Sequence, residues 1–239
     1  MAALKAILFD IDDTLYSTRE FAACARRNAL ESMRKLGLRI PIAELYAELE
    51  EVVREFGSNY DGHYGMLLRR IPPIAYRDVN PAILVAAAVA AYHDTKHELL
   101  VPHPDAFRLI KALSRTSLIR GVISDGLEVK QAEKLLRLGV YSYLTPTAIF
   151  ISEQIGISKP NPKIYSRACA RLGVPPDQVL YVGNSMAQDI RPARRAGLHT
   201  VFTRRGGRED DPAVTADHTI DNFDQLKQIL RKVYGVRLG

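Results

Sequence analysis

The chain has 239 residues, of which 47% are hydrophobic and 25% charged, and its formal net charge is +6 at pH 7. This composition is typical of a globular protein with one large or two small domains. Its longest apolar run, residues 83–92, is about half of a membrane span. The basic residues form no tract with interleaved aromatic residues. We therefore expect neither a membrane protein nor a nucleic-acid-binding protein.

The two cysteines, Cys24 and Cys169, lie far apart in the sequence, without a Cys/His metal spacing. Reduced thiols in a cytoplasmic protein are therefore expected. The first apolar stretch is short, lacks a cleavage site and runs into acidic residues, so no signal peptide is predicted. Both a monomer and a homodimer remain possible.

A predicted buried strand, residues 6–9, opens the chain, and nearly all of the next hundred residues have a helical pattern. A single crossover between parallel strands needs only a dozen or more residues. We therefore predict an inserted helical cap domain over residues 17–98, and a core domain formed by residues 1–16 and 99–239. The helices expected in the insertion end near Gly37 and Gly57 and then cover residues 64–70 and 81–97.

Beyond residue 100, short strands and helices alternate. The predicted strands are 118–123, 148–151, 179–182 and two short edge strands, 200–202 and 218–220; the predicted helices are 127–138, 162–172, 187–196 and 222–234. This alternation predicts an α/β core with a Rossmann-like parallel sheet and helices on both faces.

Two carboxylates, Asp10 and Asp12, end the first strand, and Thr14 follows them. Ligands bind at this end of the strands in open parallel sheets. One carboxylate can attack as a nucleophile and hold a cation, while the other gives and takes a proton. The alternative is an acidic turn that caps the next helix.

Two further polar sites follow the next predicted strands. Ser124-Asp125-Gly126 combines a hydroxyl with the N–H groups of a turn, which suits an oxyanion, although the tripeptide is also an ordinary turn. Lys159 precedes a proline at a helix entrance, where it could neutralise an anion and a carboxylate together. The alternative for Lys159 is an exposed surface lysine.

After the predicted strand 179–182, Asn184 and Asp189 place two oxygen-bearing side chains five residues apart across a strand-to-helix turn. Hard oxygen donors of this kind suit Mg²⁺.

Taken together, these residues resemble the motifs of the haloacid dehalogenase (HAD) superfamily of hydrolases over the whole chain. The matching positions, in the order of the family's four motifs, are Asp10, Asp12 and Thr14; Ser124; Lys159; and Asn184 with Asp189. The helical insertion is similar to the family's type 1 cap.

The resemblance implies a Mg²⁺-dependent phosphatase that hydrolyses a small phosphorylated metabolite through an aspartyl-phosphate. It implies that Asp10 is the nucleophile and Asp12 the general acid and base. The implied substrate-binding residues are Thr14, Ser124, Asp125, Gly126 and Lys159. The implied metal ligands are Asp10, the backbone carbonyl of Asp12, Asn184 and Asp189.

Two positions depart from the family pattern. Asn184 stands where the family usually has an acid, so its amide oxygen would meet the metal without a formal charge. Asp125 stands where the family commonly has Asn. Because a carboxylate would repel phosphate, we expect the Asp125 side chain to point away and its N–H to bind.

Two other functions are compatible with the pattern: a 2-haloacid dehalogenase and a non-catalytic HAD-fold binding protein. Halide leaves without a proton, so a dehalogenase would not need Asp12. Asn184 alone favours the binding protein, and the retained Asp10, Asp12 and Lys159 argue against it.

The substrate cannot be deduced from the sequence. The cap residues that could select it are Asn59, Tyr60, His63 and Tyr64, with Arg69 and Arg70 nearby. In the core, Arg204, Arg205 and Arg208 could approach an anionic substrate. The alternative for both groups is ordinary packing or a solvated surface.

Overall fold

The computed structural model describes residues 3–206 and 215–238. The chain divides into two compact units, one formed by Met1–Thr18 with Val101–Gly239 and the other by Arg19–Leu100.

The second unit is helical throughout its described secondary structure. Its helices are α1 (Thr18–Lys35, which begins one residue before the unit), α2 (Ile42–Phe56), α3 (His63–Arg70) and α4 (Pro81–Leu99). On α2, Leu45, Leu49 and Val52 are buried at helical spacing, so that one face of the helix joins the core. No helix in the described part of the chain is long and apolar enough to cross a membrane.

The first unit contains a six-stranded sheet in which every neighbouring pair is parallel. Its strands are β1 (Ala6–Phe9), β2 (Ile119–Ser124), β3 (Ile149–Ile151), β4 (Val179–Gly183), β5 (His199–Thr203) and β6 (His218–Ile220), and their order is β3-β2-β1-β4-β5-β6. The predicted α/β, Rossmann-like parallel core is confirmed. Strands β1 and β4 are buried along their whole length, as continuous apolar runs in such sheets require.

The helices of this unit are α5 (Pro104–Leu113), α6 (Glu128–Arg137), α7 (Ser152–Ile155), α8 (Lys163–Leu172), α9 (Arg191–Arg195) and α10 (Phe223–Lys232). Helix α5 lies where the sequence predicted no element. The helix predicted over residues 187–196 is instead a π-helical turn, Met186–Ile190, followed by α9.

Strand β5 corrects a second prediction, because it lies inside the sheet between β4 and β6 and is not an edge strand. Four of its five residues are buried, including two threonines. The carboxylate of Asp217 accepts hydrogen bonds from the N–H and hydroxyl of Thr200, over 2.7 and 3.1 Å. This contact satisfies the polar groups of Thr200 inside the sheet.

Candidate active site

The carboxyl edge of the sheet brings the predicted motifs together. Asp10 directly follows β1, and its N–H donates to the carbonyl of Val182 in the neighbouring β4 over 2.9 Å. Ser124 ends β2, on the other side of β1, and Asn184 follows β4. Because parallel strands share a direction, Asp10, Ser124 and Asn184 lie at the same edge of the sheet although they are distant in sequence.

Lys159 lies between two carboxylates. Its Nζ is 2.6 Å from Oδ1 of Asp10 and 2.7 Å from Oδ1 of Asp189, and the three side chains are 4%, 9% and 2% exposed. Burial opposes the charge on Lys159, but the two carboxylates hold its pKa well above the ordinary value. Burial raises the pKa of Asp10, against the opposing effect of the Lys159 ammonium. The surface-lysine alternative is therefore wrong.

Asp189 is held by protein groups on both of its oxygens. Besides the bond from Lys159, Oδ1 accepts one from the Tyr181 hydroxyl over 3.0 Å, and Oδ2 accepts one from the N–H of Ser185 over 3.0 Å. A Cβ at Gly183 would lie 2.6 Å from the Asp189 Cβ, so only glycine allows this approach. Asp189 therefore fixes Lys159 and the turn after β4, a role that the sequence did not predict.

The turn after β2 agrees only partly with its predicted phosphate-binding role. The Ser124 hydroxyl is buried and has no hydrogen-bond partner among residues 3–206 and 215–238. The Asp125 carboxylate points to the backbone, where Oδ1 accepts from the N–H of Lys159 over 2.9 Å. The N–H of Gly126 donates to the Ser152 hydroxyl over 3.0 Å. In this structure the Ser152 side chain accepts from that N–H, and the phosphate-binding role of Gly126 stays a prediction.

Thr14, predicted to bind substrate, contacts Asn184 in the structure. Its side chain is fully buried, and its hydroxyl lies 3.4 Å from Oδ1 of Asn184, which makes a long hydrogen bond. The amide Nδ2 of Asn184 is buried and has no partner within the described residues. Gly206 (φ +87°) approaches so closely that its Cβ would lie 2.8 Å from that Nδ2. Thr14 and Gly206 thus fix the surroundings of Asn184.

Asp12 is surrounded by hydrogen-bond donors that the sequence did not identify. Its carboxylate accepts from Lys134, Tyr16 and Gln131. Burial alone would raise the pKa of Asp12, but the Lys134 ammonium and these hydrogen bonds lower it below its usual value. One signal could have identified two of the donors: Gln131 and Lys134 are three residues apart on α6, and hence on one helix face.

The predicted specificity residues of the helical unit mostly contact their own unit. Tyr64 is buried in its core, the Tyr60 ring stacks on Phe56 at 4.9 Å, and Nε2 of His63 lies 2.9 Å from the carbonyl of Gly57. For Tyr64, this favours the packing alternative.

Arg70 and the core arginines are also occupied. Arg70 pairs with Glu48 and Glu55. Arg204 lies 3.2 Å from the carboxylate of Asp221, and Arg205 lies 2.6 Å from that of Asp105. Arg208 is outside the described residues. Of the three predicted core arginines, Arg204 and Arg205 therefore each form an ion pair within the core unit.

Comparison with known proteins agrees with this geometry. Residues 4–197 match the family model of the haloacid dehalogenase-like hydrolases. A glyceraldehyde 3-phosphate phosphatase of Methanopyrus kandleri is 45% identical over 238 residues, which cover 96% of this chain and 98% of that protein. One of Methanocaldococcus jannaschii is 34% identical over 231 residues, with 96% and 98% covered.

A solved structure has the same fold. It is the magnesium-bound HAD-hydrolase YfnB of Bacillus subtilis, with a TM-score of 0.67 at 22% identity, over 95% of this chain and 99% of that one. The chain therefore belongs to the haloacid dehalogenase-like hydrolases and is a phosphatase of that family.

Proposed function

We propose that the chain hydrolyses a small phosphomonoester with the help of Mg²⁺, through an aspartyl-phosphate on Asp10. The observation that carries this proposal is the position of Lys159, whose buried ammonium bridges Asp10 and Asp189. A cation held beside a nucleophilic carboxylate can attract a phosphoryl group and stabilise the negative charge that develops when the carboxylate attacks it.

In the first step, a carboxylate oxygen of Asp10 attacks phosphorus and the bond from phosphorus to the ester oxygen breaks. Asp12 gives the leaving oxygen a proton, so that an alcohol departs rather than an alkoxide. Lys159 stabilises the negative charge shared by Asp10 and the phosphoryl oxygens.

The proton on Asp12 must come from elsewhere, because its donors keep the free carboxylate ionised. A phosphate monoester has a second pKa of about 6 and still carries this proton in part near neutrality. We propose that the bound ester passes its proton to Asp12, which then hands it to the leaving oxygen.

In the second step, water attacks phosphorus of the acyl phosphate while Asp12 removes the proton from water. The bond between phosphorus and Asp10 breaks, and inorganic phosphate leaves with the carboxylate of Asp10 restored. Asp12 then returns this proton to the departing phosphate, which leaves as H2PO4⁻, and is ionised again. One ester monoanion and one water thus give one alcohol and one H2PO4⁻, and the enzyme is restored.

Two groups at the end of β2 are proposed to hold the phosphoryl oxygens: the hydroxyl of its last residue, Ser124, and the N–H of Asp125, which follows it. The buried Ser124 hydroxyl is without a partner among the described residues, which is the condition expected of a donor kept for a ligand. The Asp125 side chain is held by the Lys159 backbone and so does not oppose the anion.

The oxygen donors around Asp10 fit Mg²⁺. Among the described residues, no group of three or more His, Cys, Asp or Glu side chains could hold a metal ion. Mg²⁺ does not require one, because it keeps several waters and uses one or two carboxylates together with substrate phosphate. We propose Asp10, the carbonyl of Asp12 and the amide oxygen of Asn184 as direct donors, with Asp189 more remote. The cation would offset repulsion between Asp10 and the substrate phosphate.

Glyceraldehyde 3-phosphate is the substrate that we propose first, because relatives covering nearly the whole chain carry that name. The test measures phosphate release by the purified protein from this ester, with Mg²⁺ and with a chelator in its place. We expect turnover that needs Mg²⁺ and disappears in Asp10→Asn. Equal rates with and without the metal would contradict the Mg²⁺ proposal.

The dehalogenase alternative is tested in the same preparation. Incubation with 2-chloropropionate should release no chloride, because the site supplies a proton donor that halide does not need. Chloride release without phosphate release would replace the phosphatase proposal. Absence of both activities, with a folded protein, would favour a non-catalytic binding role.

A further inference from the structure

Three side chains, Tyr16, Gln131 and Lys134, surround Asp12 and have no part in the mechanism so far. Lys134 Nζ lies 2.6 Å from Oδ1 of Asp12 and 2.8 Å from its Oδ2. Gln131 Nε2 donates to Oδ2 over 3.1 Å, and the Tyr16 hydroxyl donates to Oδ1. Both oxygens of the carboxylate are therefore held by donors.

Lys134 contributes the only full charge among the three donors. Its Nζ contacts both oxygens of Asp12, so rotation of this carboxylate about the Cβ–Cγ bond would lengthen at least one of the two contacts. Hydrogen bonds between charged groups are roughly twice as strong as neutral ones. Lys134 is thus the donor best able to fix the orientation of Asp12.

Lys134 is carried by a helix that also bears a second donor to Asp12. It lies on α6, one turn after Gln131, whose side-chain amide also donates to the Asp125 carbonyl. Its side chain is 19% exposed, and Nζ lies 6.0 Å from the centre of the Tyr16 ring. The position of this helix therefore brings the Lys134 ammonium to Asp12, although the two residues are 122 positions apart in the sequence.

We propose that Lys134 is a positioning residue that orients Asp12 toward the leaving oxygen. The inference rests on the proposed phosphatase reaction, in which Asp12 transfers the proton. Proton transfer depends on orientation, and displacement by about 1 Å can cost a factor of about 100 in rate. Loss of Lys134 should then affect esters that need a proton on the leaving group, and affect others much less.

The experiment compares Lys134→Met with the wild type on two esters. The leaving group of glyceraldehyde 3-phosphate is an alkoxide, which needs the proton. The leaving group of para-nitrophenyl phosphate is an aryl oxide, which departs readily without one. We expect kcat on the alkyl ester to fall about 30-fold or more, and on the aryl ester by less than about threefold.

Three further variants separate positioning from general damage. Lys134→Arg keeps a cation that can bridge both oxygens and should recover most of the alkyl activity. Tyr16→Phe removes a single hydroxyl and should shift the alkyl-to-aryl ratio in the same direction by less. Lys232→Met, at an exposed lysine on α10, is the matched control and should behave like the wild type. Thermal unfolding of every variant is measured in parallel.

If the wild type is active and Lys134→Met keeps the wild-type alkyl-to-aryl ratio, whether by equal losses on both esters or by no loss on either, the positioning role is overturned. The proposed phosphatase reaction would remain intact. If Lys134→Met does not fold, the other two variants decide. An unchanged alkyl-to-aryl ratio in Tyr16→Phe, together with a fall of the alkyl activity alone in Lys134→Arg, would then contradict the positioning role of Lys134. A folded wild type inactive on the alkyl ester would overturn the proposed reaction and this inference with it.

Discussion

The carboxylate of Asp125 accepts a hydrogen bond from the backbone N–H of Lys159 over 2.9 Å. The side chain of the same lysine reaches Asp10 at 2.6 Å. The turn after β2 therefore anchors the backbone of the residue whose ammonium contacts the nucleophile. An Asn at position 125 offers the same side-chain oxygen acceptor, which explains why the chain can differ from its family here.

This anchor predicts unequal effects of two substitutions. Asp125→Ala removes the acceptor and should lower kcat by about tenfold, because Lys159 loses the support that positions it. Asp125→Asn keeps the acceptor and should stay within about twofold of the wild type. Steady-state kinetics on one phosphomonoester measures both. If the two variants lose activity equally, the charge of Asp125 matters rather than its hydrogen bond.

Asp10→Asn should abolish turnover, because an amide does not form the acyl phosphate at a useful rate. We expect a loss of at least about a thousandfold in kcat. Asp13→Asn is the matched control, since it removes one negative charge nearby and keeps the oxygen that accepts from the N–H of Thr18. A tenth of the wild-type activity remaining in Asp10→Asn would exclude Asp10 as the nucleophile.

Asp12→Asn should impair alkyl phosphates more than aryl phosphates, because only the alkoxide needs a proton to leave. We expect a difference of about 100-fold between the two classes of ester, within the usual range of general acid catalysis. The ratio of kcat/KM values on the two esters is the measurement. Equal losses would mean that Asp12 acts through structure or metal binding alone.

Asn184→Asp should strengthen Mg²⁺ binding, because it places a negative charge where the amide oxygen is proposed to face the cation. Part of the attraction is lost in desolvating the carboxylate. If about 1.4 kcal/mol remains, the Mg²⁺ concentration for half-maximal activity falls about tenfold. Mg²⁺ titrations of both proteins at one pH give this value. Superimposable curves would show that residue 184 does not face the metal.

Asp105 should stabilise the fold through Arg205 and the first turn of α10. Its Oδ2 accepts from Arg205 over 2.6 Å and from the N–H of Phe223 over 2.8 Å. Asp105→Ala leaves both donors without their partner and should lower the free energy of unfolding by about 1–3 kcal/mol. Denaturant unfolding at neutral pH measures the difference. A change below about 0.5 kcal/mol would show that the contact adds little.

The same residue predicts a pH dependence. Burial raises the pKa of Asp105, but the bonds from Arg205 and Phe223 lower it overall. A carboxylate with a lowered pKa in the folded state stabilises the protein above its unfolded pKa, about 3.9, and this contribution is lost as pH falls through the folded pKa. The stability difference between the wild type and Asp105→Ala should therefore shrink on acidification. A constant difference down to pH of about 2 would contradict this linkage.

The hydrophobic pattern of the sequence predicted most strands and helices of the core, but few of the side-chain contacts in the active site. The apolar run that ends at Asp10, and the alternation beyond residue 100, are periodic features that predict parallel strands and the edge where they end. Helix α5 was missed although its sequence signals it, with a proline at its first turn and Ala106, Leu109, Ile110 and Leu113 at helical spacing. The interior position of β5, in contrast, depended on partners elsewhere in the chain. In β5, the polar atoms of Thr200 are satisfied by Asp217, 17 residues away.

The sequence by itself determined that Asp10, Ser124, Lys159 and Asn184 belong to one edge of a sheet, because strand direction follows from connectivity. Only the tertiary structure decided which donor meets which acceptor. Gln131 and Lys134 reach Asp12 across 119 and 122 residues. The Ser152 hydroxyl accepts from the N–H of Gly126, and both oxygens of Asp189 accept hydrogen bonds from protein groups. The physical reason is that hydrogen bonds form within about 3 Å, and chain periodicity does not specify distances between remote side chains to that accuracy.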